Sequence, residues 1–151
     1  LLGAFGIIAL VITVLFRSLK LGLVSLLPNV LPLLLAYGFL GLSGSQLDIQ
    51  PAVVFTIALG LGVDATIHVI ARFAEERAEG GSVAHATTQA VTHSGRAIGI
   101  TSLILAVAFA INLLSSFPGL VLFGAMGAVI VLGSVAANLL VLPALLTVTA
   151  R

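Results

Sequence analysis

Asp64 is the residue whose surroundings constrain its chemistry most. It lies inside the apolar run 51–71, PAVVFTIALGLGVDATIHVIA, which is long enough to cross a bilayer. An ionised side chain near the middle of a membrane costs about 2.5–3.5 kcal/mol on insertion scales. The carboxyl must therefore be protonated, be paired or line a wet cavity, and each option makes it a candidate for moving protons or ions. His68 follows four residues later on the same helix face, where the two side chains can meet. Gly60 lies one turn before Asp64 and Gly62 close by; glycines there let a neighbouring helix or water approach the carboxyl. Thr101 and Ser102 open the next apolar run at a depth comparable to Asp64. If those two helices pack, the Thr101 hydroxyl can relay or stabilise the proton. The candidate relay is therefore Asp64, His68 and Thr101, with Gly60 and Gly62 providing access.

Plainer roles compete at each position. His68 can be a helix-end residue reaching the interface. Asp64 can be a neutral acid holding two helices together, but polar contacts within membranes average only about 0.6 kcal/mol. That is small beside the cost of burying a charge, so a titrating role is favoured. The Ser102 hydroxyl can bond back to its own helix. Asn112 and Asn138 are amides within spans, and interhelical hydrogen bonding is their simplest use, with Ser102 a further candidate. His85 and His93 are eight apart without acidic or thiol companions, so neither a metal nor another cofactor is expected. An intramembrane aspartyl protease needs two carboxylates sharing a proton, and Asp48 falls in a turn. A zinc hydrolase needs a His pair at ligand spacing beside an acid, which is missing. The chain is expected not to be an enzyme.

The elements that must hold these residues are legible from composition. The chain is 60% hydrophobic and 7% charged, with mean hydropathy +1.32. These values indicate an all-α integral membrane protein. Apolar spans are expected at about 1–16, 21–42, 51–71, 97–114 and 120–148. Pro28 and Pro32 should kink the second and Pro143 the inner end of the fifth. Gly124 with Ala128, and Gly133 with Ala137, are small-xxx-small pairs suited to close helix packing. The segment 72–96 is the one long polar connection. There Gly80 and Gly81 should stop the third helix, and Ser82 should cap a short amphipathic helix to about His93, lying on the membrane surface or in solvent. Lys and Arg number six against five Asp and Glu, for a net charge of +1, and no nucleic-acid partner is expected. With five alternating spans, Arg17, Lys20, Arg72, Arg77, Arg96 and Arg151 all fall on one side, which the positive-inside rule makes cytoplasmic. The chain has no cysteine, which excludes disulfides and thiolate metal sites, and its single methionine is Met126. It is expected to be an internal or C-terminal piece of a longer protein.

The run Gly60-Leu-Gly-Val-Asp64-Ala-Thr-Ile-His68, followed by Arg72-Phe and Glu75-Glu-Arg77, resembles the fourth or tenth transmembrane helix of resistance-nodulation-division (RND) permeases. The resembling branch is the MMPL and Patched-like group, which includes hopanoid and other lipid exporters. His93-Ser-Gly-Arg-Ala-Ile98, Thr101-Ser-Leu103, Ser115-Ser-Phe117, Phe123-Gly124 and Leu142-Pro-Ala-Leu145 extend the likeness over the whole chain. The resemblance implies a twelve-helix permease of the inner membrane, driven by the proton motive force, with this chain as helices eight to twelve. It implies that Asp64 is the proton-titrating acid and that Thr101 occupies the facing hydroxyl position. It also implies as partners the missing N-terminal half, the extracytoplasmic domains, the lipid bilayer, protons, a lipid or other hydrophobic substrate, and further copies of the protein in a homo-oligomer. Two positions depart from the pattern: Ala65 stands where many relatives have a second acid, and Asn138 where relatives often have an acid. The competing reading is a sterol-sensing-like module that binds lipid and a partner without transport.

Overall fold

The computed structural model describes residues 2–42, 44 and 49–149. Arg151 and Asp48 lie outside the described residues. Among the described residues the chain is all helical. The helices are α1 (Leu2–Phe16), α2 (Leu19–Val24), α3 (Leu26–Leu42), α4 (Ile49–Ala78), α5 (Val83–Ile111), α6 (Pro118–Ala136) and α7 (Leu142–Thr149). α2 and α3 run on as one span of 24 residues, Leu19–Leu42, and α6 and α7 as one of 32, Pro118–Thr149. With α4 and α5 they give four helices long and apolar enough to cross a bilayer, and α1 contributes a shorter apolar helix, Phe5–Phe16.

Local chemistry sets the boundaries. Arg17 takes the left-handed conformation at φ +49°, and the Ser18 N–H reaches the Thr13 carbonyl at 3.2 Å. That six-to-one bond is the Schellman way of ending a helix. Ser18 then caps α2 by accepting from the Leu21 N–H at 3.4 Å. The chain breaks at Ser25, three residues before Pro28, which has no N–H for the Val24 carbonyl. α4 ends in a second Schellman turn: Gly80 has φ +87°, Gly81 N–H bonds the Glu76 carbonyl at 3.1 Å, and Gly80 N–H bonds the Arg77 carbonyl at 3.2 Å. Ser82 caps α5, accepting from the His85 N–H at 3.2 Å. Pro118 occupies the first turn of α6, where a missing N–H is harmless. A single π-helical turn, Ala137–Val141, separates α6 from α7. It lies directly before Pro143, whose ring and missing N–H interrupt the regular ladder.

One expected element is not separate. The short helix from Ser82 to about His93 and the fourth span form one continuous helix, α5. Nothing between His93 and Ala97 breaks it, and Gly95 is retained where the Leu139 side chain packs close, 3.3 Å from where a Cβ would sit.

α6 is the central helix and packs against α3, α4 and α5. The core has two apolar clusters. Ile12, Val69, Ile70, Phe73, Ala90, Leu142 and Leu146 belong to one, at the C-terminal ends of α4 and α7. Leu33, Ala36, Leu40, Val54, Phe55, Met126 and Ile130 belong to the other. Lipid tails are as apolar as these side chains, so close contact and polar bonds, rather than expulsion from water, hold such a bundle together. Between the clusters, along α3, α4 and α6, lie the buried polar residues Asn29, Thr66, Ser134 and Asn138.

Candidate functional site

α4 presents two chemically different faces. Val69, Ile70 and Phe73 point into the core, and Gly62 and Thr66 share that side. Asp64 and His68 lie on the outward side, with side chains 77% and 67% exposed. Asp64 is thus not in the helical core of this chain. It lines a cavity of about 690 Å³ between α4 and α5, floored by Val131 and Ser134 of α6. Of the three fates open to a carboxyl in a span, the geometry combines the paired one with the cavity-lining one. His68 Nε2 is 3.5 Å from Asp64 Oδ1, an ion pair whenever the imidazole is protonated. That length is outside the range of a strong hydrogen bond, so the two groups are close without being locked.

The other expected site residues fall as follows. Thr101 and Ser102 line the same cavity, as do His93 and Ser94 of α5. The Thr101 hydroxyl bonds within its own helix, to the Ala97 carbonyl at 3.0 Å and the Ile98 carbonyl at 3.1 Å. It therefore faces the space in front of Asp64 while its proton points backward. Ser94 Oγ donates across to the His68 carbonyl at 3.3 Å and ties α5 to α4 beside the imidazole. Gly60 has open space where a Cβ would stand. Gly62 is the opposite case: a Cβ there would lie 2.5 Å from Asn29 Oδ1 and 3.7 Å from Ser134 Oγ. Gly62 thus lets α3 and α6 close on the inner side of α4, and Gly60 leaves the Asp64 side open.

The three amides and hydroxyls expected to bridge helices divide in the same way. Asn138 accepts from Thr66 Oγ1 at 2.7 Å and joins the π-helical turn after α6 to α4. Asn112 makes no such bridge: its amide donates to the Ala108 and Phe109 carbonyls at 3.1 and 3.3 Å, at the C-terminal end of α5. Ser102 borders the cavity without a described interhelical bond.

Sequence reasoning missed Asn29 and Thr66. Asn29 donates to the Ser25 carbonyl at 2.7 Å and to Thr66 Oγ1 at 3.1 Å. Thr66 Oγ1 also lies 2.8 Å from the Gly62 carbonyl, and Asn138 donates to the Ser134 carbonyl at 3.0 Å. Asn29 carried a signal: an amide between two prolines in a span needs a partner in hydrocarbon. Thr66 carried none, since a threonine two residues after an acid reads as helix filling.

A bundle of long apolar helices, carrying Asp64 on the wall of a cavity and a polar layer inside, defines a multi-pass helical membrane protein. The chain belongs to the MMPL family, a group of transporter-like membrane proteins, whose sequence profile matches residues 1–151. It is also 30% identical, over 149 residues and 99% of its own length, to the membrane protein MJ1562 of Methanocaldococcus jannaschii. The chain spans 38% of the length of that relative. No solved structure matches it significantly.

Proposed function

We propose that the chain is the proton-coupling part of a permease that exports lipids or other hydrophobic molecules, with Asp64 as the group that binds and releases the proton. The observation that carries this reading is the placement of Asp64 beside His68 on the wall of a groove that water can fill. A charge at that depth is tolerated only if solvated or paired, and the site offers both. With the proton bound, Asp64 is neutral and compatible with an apolar neighbour. After release to the cytoplasm it is an anion that His68 and water stabilise. Thr101, across the groove, supplies a hydroxyl that becomes a relay once it turns from its own helix. The positive-inside pattern of Arg17, Lys20, Arg72, Arg77 and Arg96 supports a cytoplasmic face at the C-terminal end of α4. The MMPL likeness supports a hydrophobic cargo, moved in this reading by parts of the protein outside this chain.

Asp64→Asn keeps the size of the side chain and removes the exchangeable proton. In proteoliposomes holding the complete protein, an imposed pH gradient should drive proton flux, read with an entrapped pH-sensitive dye. We expect the variant to lose at least about tenfold of that flux at equal reconstitution, equivalent to about 1.4 kcal/mol in the barrier. Flux at the normal rate would remove Asp64 from the coupling step and favour the lipid-binding regulatory module instead.

A further inference from the structure

We infer that Thr66 is a latch on the inner side of α4 that positions Asp64, exchanging its one hydroxyl proton between Asn138 of the α6–α7 span and its own helix. This rests on the proton-coupling reading of Asp64 and adds to it residues that face away from the groove.

The argument begins with a donor count. Thr66 is fully buried, Asn138 is fully buried, and Asn29 is 2% exposed. A hydroxyl has one proton and two acceptor lone pairs. Around Thr66 Oγ1 stand two acceptors, Asn138 Oδ1 at 2.7 Å and the Gly62 carbonyl at 2.8 Å, and one donor, Asn29 Nδ2 at 3.1 Å. The single proton cannot serve both acceptors fully. The Asn29 amide cannot relieve the shortage by turning over, because its nitrogen already faces the Ser25 carbonyl at 2.7 Å, which only accepts. Its oxygen, aimed at Gly62, is buried without a donor. A buried hydroxyl with one proton and two acceptors within reach has two arrangements. In one, Thr66 bridges α4 to α6. In the other, it bonds back to Gly62 within α4 and α6 is released. Rotation of one hydroxyl switches between them.

Two further observations connect this exchange to the proton site. Residues two apart on a helix point about 200° apart, at about 100° per residue. A turn of α4 that reorients Asp64 in the groove must therefore move Thr66 against Asn138. Ser134, which lies 3.4 Å from Asn138 Nδ2, also floors the Asp64 cavity, so the latch reaches the groove. Asn138 itself sits in the π-helical turn, a local irregularity of the kind that recurs at functional sites and leaves backbone freer to shift.

The test uses the complete protein and the same proton-flux measurement. Thr66→Val keeps the shape and removes the hydroxyl; Thr66→Ser keeps the hydroxyl; Asn138→Val removes the acceptor from the other side. We expect Thr66→Val and Asn138→Val each to lower flux about tenfold and Thr66→Ser to restore it to within about twofold of normal. The double variant should lose less than the sum of the two single losses, because both remove the Thr66–Asn138 bond. The pH profile of the flux should also change position, since a displaced α4 changes what surrounds Asp64 in the groove. A purely structural defect would scale the whole pH profile without moving it. The titratable groups facing Asp64 in the groove are His68 from α4 and His93 from α5, while α6 offers Val131 and Ser134. Both histidines are unchanged in all three variants. If Thr66→Val does not fold, Asn138→Val carries the same expectation. An unmoved profile, additive losses, or equal damage from Ser and Val would each overturn the latch. Loss of flux in Asp64→Asn with normal flux in Thr66→Val would overturn the latch alone. Normal flux in Asp64→Asn would overturn the proton reading beneath it.

Discussion

At the scale of single residues, the two glycines just before Asp64 make opposite predictions. Gly62 has Asn29 Oδ1 2.5 Å from the position of a Cβ, and Gly60 has nothing within reach. Gly62→Ala must push the Asn29 amide aside, breaking its bond to Thr66 or to Ser25, and overpacking of this kind costs about 1–3 kcal/mol. Gly60→Ala meets no such obstacle and gains about 0.5–1 kcal/mol of helix propensity. Thermal unfolding of the complete protein in detergent should therefore show a lowered midpoint for Gly62→Ala and an equal or raised one for Gly60→Ala. Equal behaviour of the two would contradict the close approach of α3 at Gly62. The sequence made Asp64, His68 and the glycines visible because each is out of place in an apolar run. It did not reveal which side of α4 faces the core. Asp64 attracts attention as a charge, yet Thr66 holds the interior position, and a hydroxyl within a span is ordinary until its neighbours from distant helices are known.

At the scale of elements, α5 and α6 meet through glycines rather than through interlocking large side chains. A Cβ at Gly124 would stand 2.5 Å from the Phe109 carbonyl oxygen and 2.8 Å from Asn112 Cβ. The first of these is backbone and cannot step aside. Gly127 lies under the Phe109 ring, which also packs on Phe123 at 5.5 Å between centroids. Gly124→Ala should force the helices apart and lower the thermal midpoint, by about 1–3 kcal/mol in stability. Gly99→Ala on α5, where the space is open, is the control and should leave the midpoint equal or raised, as at Gly60. The sequence paired Gly124 with Ala128 by spacing alone; in the structure the close approach runs through Gly124 and Gly127. The spans were legible because hydropathy over some 20 residues is a strong signal. The merger of the expected surface helix into α5 was not, since the polar residues 82–96 mark exposure to water and say nothing about whether the helix stops.

At the scale of the whole molecule, charge is distributed to one end. Arg72 bonds Glu75 at 2.7 Å and Glu76 at 2.8 Å, and His85 Nε2 lies 3.8 Å from Glu76, so the α4–α5 connection is a charged knot. The connection at the other end of α5 carries no charge: the Phe117 N–H bonds Ser115 Oγ at 3.1 Å and Pro118 opens the next helix. Moving Arg72, Arg77 and Arg96 across a bilayer is far more costly than moving Ser115 to Pro118, at about 2.5–3.5 kcal/mol for each Arg at the centre. The two connections should therefore lie on opposite sides, with the charged one facing the cytoplasm. Because this chain contains no cysteine, a thiol can be placed at either turn without competition from its own residues. In the complete protein, made cysteine-free, Ser115→Cys should react with an impermeant maleimide added to intact cells. Ser82→Cys should react only after the membrane is opened or in inverted vesicles. Reaction of both from the same side would mean that α5 does not cross. The reverse pattern would turn Asp64 toward the other compartment and invert the direction in which its proton is released.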